Sequence, residues 1–397
     1  MPSTAAKAGH TVGGVVIGGD YQGLGIVRSL GKHGIPVCII DDEFSIARFS
    51  RFAHRSVRVR GLRDPEACVE TVLEIGRRLG LEGWVLYPTR DETVAAIAIN
   101  RARLAEFFRV PTPEWDITKW ATDKRNTYRL AGDLGIAAPR TWYPSSIQDL
   151  EEVDGQYPYV LKPAKKEHFV YATKAKAWRV ETHEQLVERF REAAAVTGGD
   201  DMMVQELVPG DGRHQFAYCA FFKDGRAVAS MAARRRRQHP PEFGRASTFV
   251  QTVDMPQLSA ASEKFLRAID YYGLVEVEYK RDPRDGTYKL LDVNARTWGY
   301  HTLGAMAGLD FPYLLFKDQV GEQIPKQRDA KQGVRWVRLL TDIPTAAVEI
   351  RRGRLNWRAY LRSLRGVDVE AVFDRKDPLP GLVELALIPY LYVRRGF

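Results

Sequence analysis

The apolar positions of the first hundred residues fall in short runs separated by glycine-rich turns and helical patterns. Val12 to Ile17 is apolar and ends in Gly18-Gly19-Asp20. Gly23-Leu24-Gly25 and a helical pattern through Leu30 follow, then a second apolar run, Ile35 to Ile40, ending in Asp41-Asp42. Strand, glycine turn, helix, strand is the opening of a parallel α/β unit. A helix over Pro65 to Leu79 and a strand over Trp84 to Tyr87 continue it, and Arg90-Asp91-Glu92 stand just beyond that strand. Ligands of open parallel sheets bind beyond the carboxyl ends of strands, so these three side chains form either a substrate rim or a charged helix start.

The pattern changes near Val110 to Thr118, where Pro111 and Pro113 suggest a boundary. Beyond it the spacing predicts a helix from Lys124 to Leu134, a strand after Pro139, an apolar strand from Pro158 to Pro163 carrying Lys162, and a helix from Thr182 to Ala195. A strand from Met202 then breaks into a turn at Pro209-Gly210. Phe216 to Phe222 and Ala227 to Ala232 read as a hairpin around Lys223-Asp224-Gly225, running on into Arg234 to Arg237. Val275, Val277 and Tyr279 alternate with Glu276, Glu278 and Lys280, the period of a half-buried strand. Pro283, Asp285 and Gly286 supply a turn, and a second strand runs from Tyr288 to Val293.

This last hairpin carries the chemistry. Folding about Asp285 sets Glu278 opposite or nearly opposite Asp292, with Asn294 on the same face and Arg296 close behind. Facing carboxylates stay ionised only if cations hold them. Glu278, Asp292 and Asn294 are all oxygen donors, which suits Mg²⁺ on a nucleotide better than zinc. An ordinary hairpin with a solvated charged face explains the spacing equally well. Of the four arginines 234–237, alternation sends one pair inward, either to capture phosphate or carboxylate or as a charged edge strand. Lys162 on a buried strand calls for an anion.

Composition adds bounds. The 397 residues suffice for two or three domains. Three scattered cysteines, Cys38, Cys68 and Cys219, fit neither a disulfide framework nor a zinc site and suggest free thiols in a reducing cytoplasm. No apolar run reaches the ~20 residues of a membrane helix. Met1 to Thr11 lack a signal-peptide core and read as a disordered tail. Of the net charge of +9, much sits after residue 327, where 14 Lys and Arg face 8 Asp and Glu. No aromatic-interleaved basic region accompanies them, so nucleic acid is not an expected partner. The final apolar run, Leu382 to Val393, reads as a helix buried on the core or against a second copy in a homodimer.

Five ordered pieces resemble the ATP-grasp superfamily of carboxylate–amine ligases, and within it enzymes joining amino acids, such as D-aspartate ligase-like proteins. They are Asp123-Lys124, Leu161-Lys162-Pro163, Val204 to Gly210, Glu276-Val277-Glu278 and Leu291 to Arg296. The resemblance implies a Rossmann-like parallel α/β domain at 12–112 and an ATP-grasp domain of two α+β subdomains at 113–328. An accessory basic region at 329–397 lies outside it. It implies ATP and Mg²⁺ as cofactors. Lys124 and Lys162 would contact the phosphates, and Gln205, Glu206, Leu207 and Val208 would hold adenine. Asp211 would hold the ribose, and Glu278, Asp292 and Asn294 the metal. Arg296 would stabilise the transferring phosphoryl group, and Arg234 and Arg236, or the alternate pair, would contact phosphate or substrate. Two departures stand out. Asp292 and Ala295 replace the usual glutamate and proline of the last motif. The segment 164–178 has no glycine where many relatives have a glycine-rich lid, but carries Lys165, Lys166, Lys174 and Lys176.

The expected chemistry is an amide-forming reaction between a small carboxylate and a small amine through an acyl phosphate, which asks for positioning and charge neutralisation rather than a protein nucleophile. Three alternatives remain: a bicarbonate-using carboxylase of the same fold, an NAD-dependent dehydrogenase built on Gly18 to Gly25 and Asp41, and a non-catalytic nucleotide-binding regulator. The glycine turn has neither a complete G-x-G-x-x-G nor a Walker pattern.

Overall fold

Three sheets stack along the chain in a computed structural model that describes residues 11–164, 169, 173, 175–197, 201–244, 246–324 and 330–395. The expected tail, apart from Thr11, lies outside the described residues, as do Lys165, Lys166 and Lys174.

The first sheet is parallel throughout, with β1 (Gly14–Ile17), β2 (Val37–Asp41), β3 (Arg55–Arg58) and β4 (Val85–Pro88) in the order β3-β2-β1-β4. The helix Pro65–Leu79 starts where Asp64 accepts the Ala67 N–H at 2.8 Å and ends at Gly80, whose φ of 65° suits only an unhindered residue. The glycine turn after β1 is a packing device. A Cβ on Gly23 would sit 2.1 Å from the Gly18 carbonyl oxygen, so only glycine lets the helix Tyr21–Lys32 approach the strand end.

The second sheet is small and antiparallel. It holds β5 (Thr141–Trp142), β6 (Tyr159–Pro163), β7 (Trp178–Val180) and β8 (Met202–Glu206), in the order β5-β8-β6-β7. The helix His183–Thr197 covers it through Leu186, Phe190 and Ala193.

The third sheet has seven strands: β9 (Gln215–Lys223), β10 (Arg226–His239), β11 (Ala246–Val253), β12 (Gly273–Arg281), β13 (Tyr288–Asn294), β14 (Arg335–Val337) and β15 (Val369–Glu370). Their order is β13-β12-β9-β10-β11-β14-β15. Alternation splits β9 cleanly. Phe216, Tyr218 and Phe222 pack with Val275 and Val277 against the helix Pro256–Ala268. Ala217, Cys219 and Phe221 face the other way, into the core shared with the helix Tyr21–Lys32 and with Trp298 and Trp336.

The basic C-terminal region is not an appendage. It contributes β14 and β15 to the large sheet and returns to the first one. Asp377 accepts Arg28 Nε at 2.9 Å, Ser50 Oγ at 2.7 Å and Arg51 N–H at 2.9 Å. Arg338 pairs with Glu384 at 2.9 Å and lies 3.9 Å over the Tyr21 ring. The closing apolar run forms two helices, Leu379–Ala386 and Ile388–Arg395, with Leu382 and Leu385 turned outward. Among the described residues no helix is long and apolar enough to cross a membrane.

Candidate functional site

The hairpin of β12 and β13 pairs Glu278 with Asp292 and Glu276 with Asn294. Cross-strand partners share a face, so three carboxyl groups and one carboxamide stand on one patch. Glu276, Asp292 and Asn294 are each 4% exposed. The register slips between Glu278 and Tyr279, where Leu290 rather than Leu291 faces Tyr279. Leu291 is therefore the extra residue of a bulge and lines the cleft, instead of sitting on the far face as strict alternation predicts.

Each acid is held. Lys124 Nζ donates to Asp292 Oδ1, and both side chains are buried. Arg235 Nη2 lies 3.5 Å from Glu278 Oε2. Glu276 Oε1 accepts the Tyr300 hydroxyl at 2.6 Å, and Glu276 Oε2 accepts Asn294 Nδ2 at 3.1 Å. Burial, then the neighbouring Glu278 carboxylate, push Glu276 up to about 7. Glu276 is the site residue that sequence reasoning missed. The signal was present, because Glu276 and Glu278 are two apart on one strand and must share a face.

Arg296 spans two sheets. Its Nε and Nη2 donate to the two Asp91 oxygens at 2.5 and 3.1 Å, and Nη2 reaches Asn294 Oδ1 at 3.4 Å. Burial opposes its charge, but Asp91 and Glu276 more than offset this and hold it protonated, above the ordinary guanidinium value. Asp91 opens the helix Asp91–Ile99 at the carboxyl end of β4, so the rim suspected from the sequence meets the hairpin. Arg90 is engaged elsewhere, at 2.9 Å from Asp41 and 2.6 Å from Asp42. Asp41 also accepts the Gly19 N–H at 2.6 Å, so the acid a dehydrogenase would turn to a ribose is tied into the turn.

The small sheet faces this patch across a cleft of 1460 Å³. Lys162 Nζ donates to Gln205 Oε1 at 2.6 Å and to the Tyr128 hydroxyl at 3.1 Å, and Tyr128 in turn donates to the Leu291 carbonyl at 2.8 Å. Lys124, Lys162, Gln205, Glu206, Leu207, Val208, Asp211, Glu278 and Asp292 all line this cleft. Lys280 donates to the Val208 carbonyl at 2.7 Å, and burial brings its ammonium down to about 8. Glu206 is neutralised by Lys289 and Arg284, and Asp211 by Arg213.

The four arginines separate. Arg235 is the one that reaches Glu278. Arg234 lies on the opposite face, over the Phe216 ring, with Nε donating to the Arg213 carbonyl at 3.0 Å, so the structure does not bring it to the carboxylates. Arg236 sits at a bulge and lines the cleft. Arg237 is bound at 2.8 and 2.7 Å by the fully buried Asp342.

The family described as "ATP-grasp in the biosynthetic pathway with Ter operon" matches residues 200–342, which span both large-sheet hairpins and the first C-terminal strand. The chain carries an ATP-grasp domain. It is an enzyme of the ATP-grasp ligase type and a homologue of D-aspartate ligase. The D-aspartate ligase of Enterococcus faecium (strain Aus0004) is 22% identical over 326 residues, covering 77% of this chain and 76% of that protein. Among solved structures, the L-amino acid ligase from Bacillus licheniformis superposes with a TM-score of 0.61 at 16% identity, over 79% of this chain and 75% of the other. The biotin carboxylase domain of Hydrogenobacter thermophilus 2-oxoglutarate carboxylase, solved with MgADP, ADP and bicarbonate, gives 0.66 at 14% identity, over 82% and 74%. At these identities the superpositions establish the ATP-grasp fold.

The donor set fits a hard divalent cation. All four side chains on the hairpin patch offer oxygen. Among the described residues no three histidine, cysteine or acidic side chains are grouped closely enough to hold a metal ion by themselves. Mg²⁺ does not need one, because it usually takes one or two carboxylates and completes its shell with water and phosphate. Burial first and Glu278 second raise the Glu276 carboxyl although Arg235 and Arg296 oppose the shift, so a further cation at the patch would favour its ionised form.

Proposed function

We propose that this enzyme uses ATP to join a carboxylate to an amine, with amino acids as the substrate class, through an acyl phosphate. The observation that carries the proposal is the patch of Glu276, Glu278, Asp292 and Asn294, ringed by Lys124, Arg235 and Arg296, with Lys124, Glu278 and Asp292 lining one cleft. Such a site neutralises and orients polyphosphate, and it offers no nucleophile of its own. The names of the D-aspartate ligase and the L-amino acid ligase support amino acids as substrates.

ATP would lie between the small and large sheets, its adenine along Gln205 to Val208 and its ribose toward Asp211. Mg²⁺, held by Glu278, Asp292 and Asn294 with Glu276 beside them, would neutralise the phosphate oxygens. Lys124 and Lys162 extend into the same space as compact cations. In the first step a substrate carboxylate oxygen bonds to the γ-phosphorus while the bond to the ADP oxygen breaks. In the second the amine nitrogen bonds to the acyl carbon, phosphate leaves with the bonding pair, and the amine sheds a proton. Arg296, held by Asp91 beside Asn294, would stabilise the negative charge gathered on the transferring group. The buried cysteines Cys38, Cys68 and Cys219 suit a reducing cytoplasm.

A scan of carboxylates and amines for ADP release tests the proposal. ADP is expected only with Mg²⁺, a carboxylate and an amine together, and Lys162→Ala should lose at least about a hundredfold in turnover while remaining folded. ADP release driven by bicarbonate alone would assign the site to carboxylation, and undiminished turnover in Lys162→Ala would remove Lys162 from it.

A further inference from the structure

The ligase proposal, on which this inference rests, leaves one wall of the cleft unexplained. Arg236 of β10, Arg335 of β14 and Arg362 of the helix Trp357–Leu364 all line it. Among the described residues none of the three has a carboxylate partner for its guanidinium. Among the described residues the only hydrogen bond their side chains make is from Arg335 Nη1 to the Arg365 carbonyl at 3.2 Å. Their neighbours differ, because Arg213 is neutralised by Asp211 and Arg237 by Asp342. Arg236 and Arg362 are exposed to the cleft and Arg335 is half-buried. Partial desolvation, then the charges of Arg234, Arg335, Arg237 and Arg213, push the Arg236 guanidinium below its ordinary value. Like charges gathered in a concave wall disfavour one another unless an anion enters.

The transferred phosphoryl group does not account for the whole wall. The acids that mark its place sit on β12 and β13; β10, which carries Arg236, lies two strands from β12, and β14, which carries Arg335, lies four. At a strand spacing of ~4.8 Å this is on the order of 10 Å for Arg236 and on the order of 19 Å for Arg335. A cleft of 1460 Å³ also exceeds the roughly 300–1,000 Å³ of a typical single-ligand pocket, leaving room beside a nucleotide. Two of the three arginines come from the region after residue 329, which supplies none of the five motif pieces. Guanidinium groups in such a setting bind carboxylate or phosphate through paired N–H donors.

We propose that Arg236, Arg335 and Arg362 form a recognition wall for a substrate that bears an anionic group besides the carboxylate being activated. The C-terminal region thereby selects acidic or phosphorylated substrates over neutral ones.

The test pairs kinetics with direct binding. ADP release is measured with aspartate, glutamate and O-phosphoserine against asparagine, glutamine and serine, each offered with a second amino acid. Calorimetry measures binding of MgADP and, separately, of each acidic probe to the nucleotide-free protein. Acidic or phosphorylated probes are expected to outperform their neutral counterparts by at least about tenfold, the loss of one charge-assisted hydrogen-bonding partner. Preference for aspartate and glutamate identifies a carboxylate ligand, and preference for O-phosphoserine a phosphate. Arg335→Ala and Arg362→Ala should each raise the KM for the preferred probe about tenfold or more, with Arg335→Lys recovering part, while MgADP affinity changes less than about twofold. Equal activity with neutral amino acids overturns the proposal. So does a loss of MgADP affinity in place of probe affinity, which would make the wall part of the nucleotide site. Failure of the wild-type chain to bind MgADP would strike the ligase proposal instead, and the nucleotide-free titrations would still decide the wall.

Discussion

Replacing Glu276 with glutamine separates the cost of the acidic patch from its use. Glu276 is buried beside Glu278, and its carboxyl is pushed from an ordinary 4.5 up to about 7. A shift of that size, at 1.36 kcal/mol per unit, makes ionisation in the ligand-free fold unfavourable by on the order of 3 kcal/mol. The folded chain keeps a proton that the unfolded chain has already released between the two values. Stability therefore declines as pH rises from about 4.5 to about 7 and levels off above it. Glutamine imitates the protonated acid and can still accept the Tyr300 hydroxyl. Without ligand, Glu276→Gln should match the parent near pH 5 and exceed it at pH 8, by up to about 3 kcal/mol, or several degrees in Tm. Mg²⁺ with ADP should reverse the order, because a cation stabilises the ionised patch of the parent more than that of the variant. Thermal unfolding at pH 5, 6, 7 and 8, with and without MgADP, measures both effects. A parent whose ligand-free stability is flat over this range, or a variant that gains as much from MgADP as the parent does, would refute the reasoning.

Asp91→Asn should lower kcat roughly tenfold or more with little change in the KM for ATP, since it loosens Arg296 without touching the nucleotide; steady-state kinetics on the Mg²⁺-loaded enzyme check the split. Asp292→Asn should weaken the metal requirement steeply, read as a rightward shift of the Mg²⁺ titration, and an unchanged titration would remove Asp292 from the metal site. Asp377→Ala leaves the buried Arg28 without its carboxylate and should cost about 3–5 kcal/mol by chemical denaturation. Burial alone would raise the Asp377 carboxyl, but the Arg51 N–H, Ser50 and Arg28 together hold it below its ordinary 3.8. Its contribution is therefore full above about pH 4 and disappears as pH falls through the lowered value.

Several features of the candidate site were legible because they depend on local rules. A turn at Asp285 and a period of two suffice to set Glu278 against Asp292 and to put Asn294 on their side. The same rule placed Glu276 there, but its bonds to Tyr300 and Asn294 come from pairing and from a residue 24 positions away. Arg234 to Arg237 show the limit of alternation. A bulge at Arg236 breaks the period, so one of the four reaches Glu278, one lies over Phe216, one lines the cleft and one is sealed against Asp342.

What the chain determines by itself is ten of the fifteen strands among the described residues, several of their turns, and the oxygen-rich character of one hairpin, because these follow from spacing along a few residues; β3, β7, β11, β14 and β15 carry no such local signal. Tertiary structure alone decided that Asp91 fixes Arg296 across two sheets, that Lys124 faces Asp292 from 168 positions away, and that the basic C-terminal region completes the large sheet. Charge and hydrogen bonding act through space, and no periodicity in a sequence records which distant cation a buried carboxylate will meet.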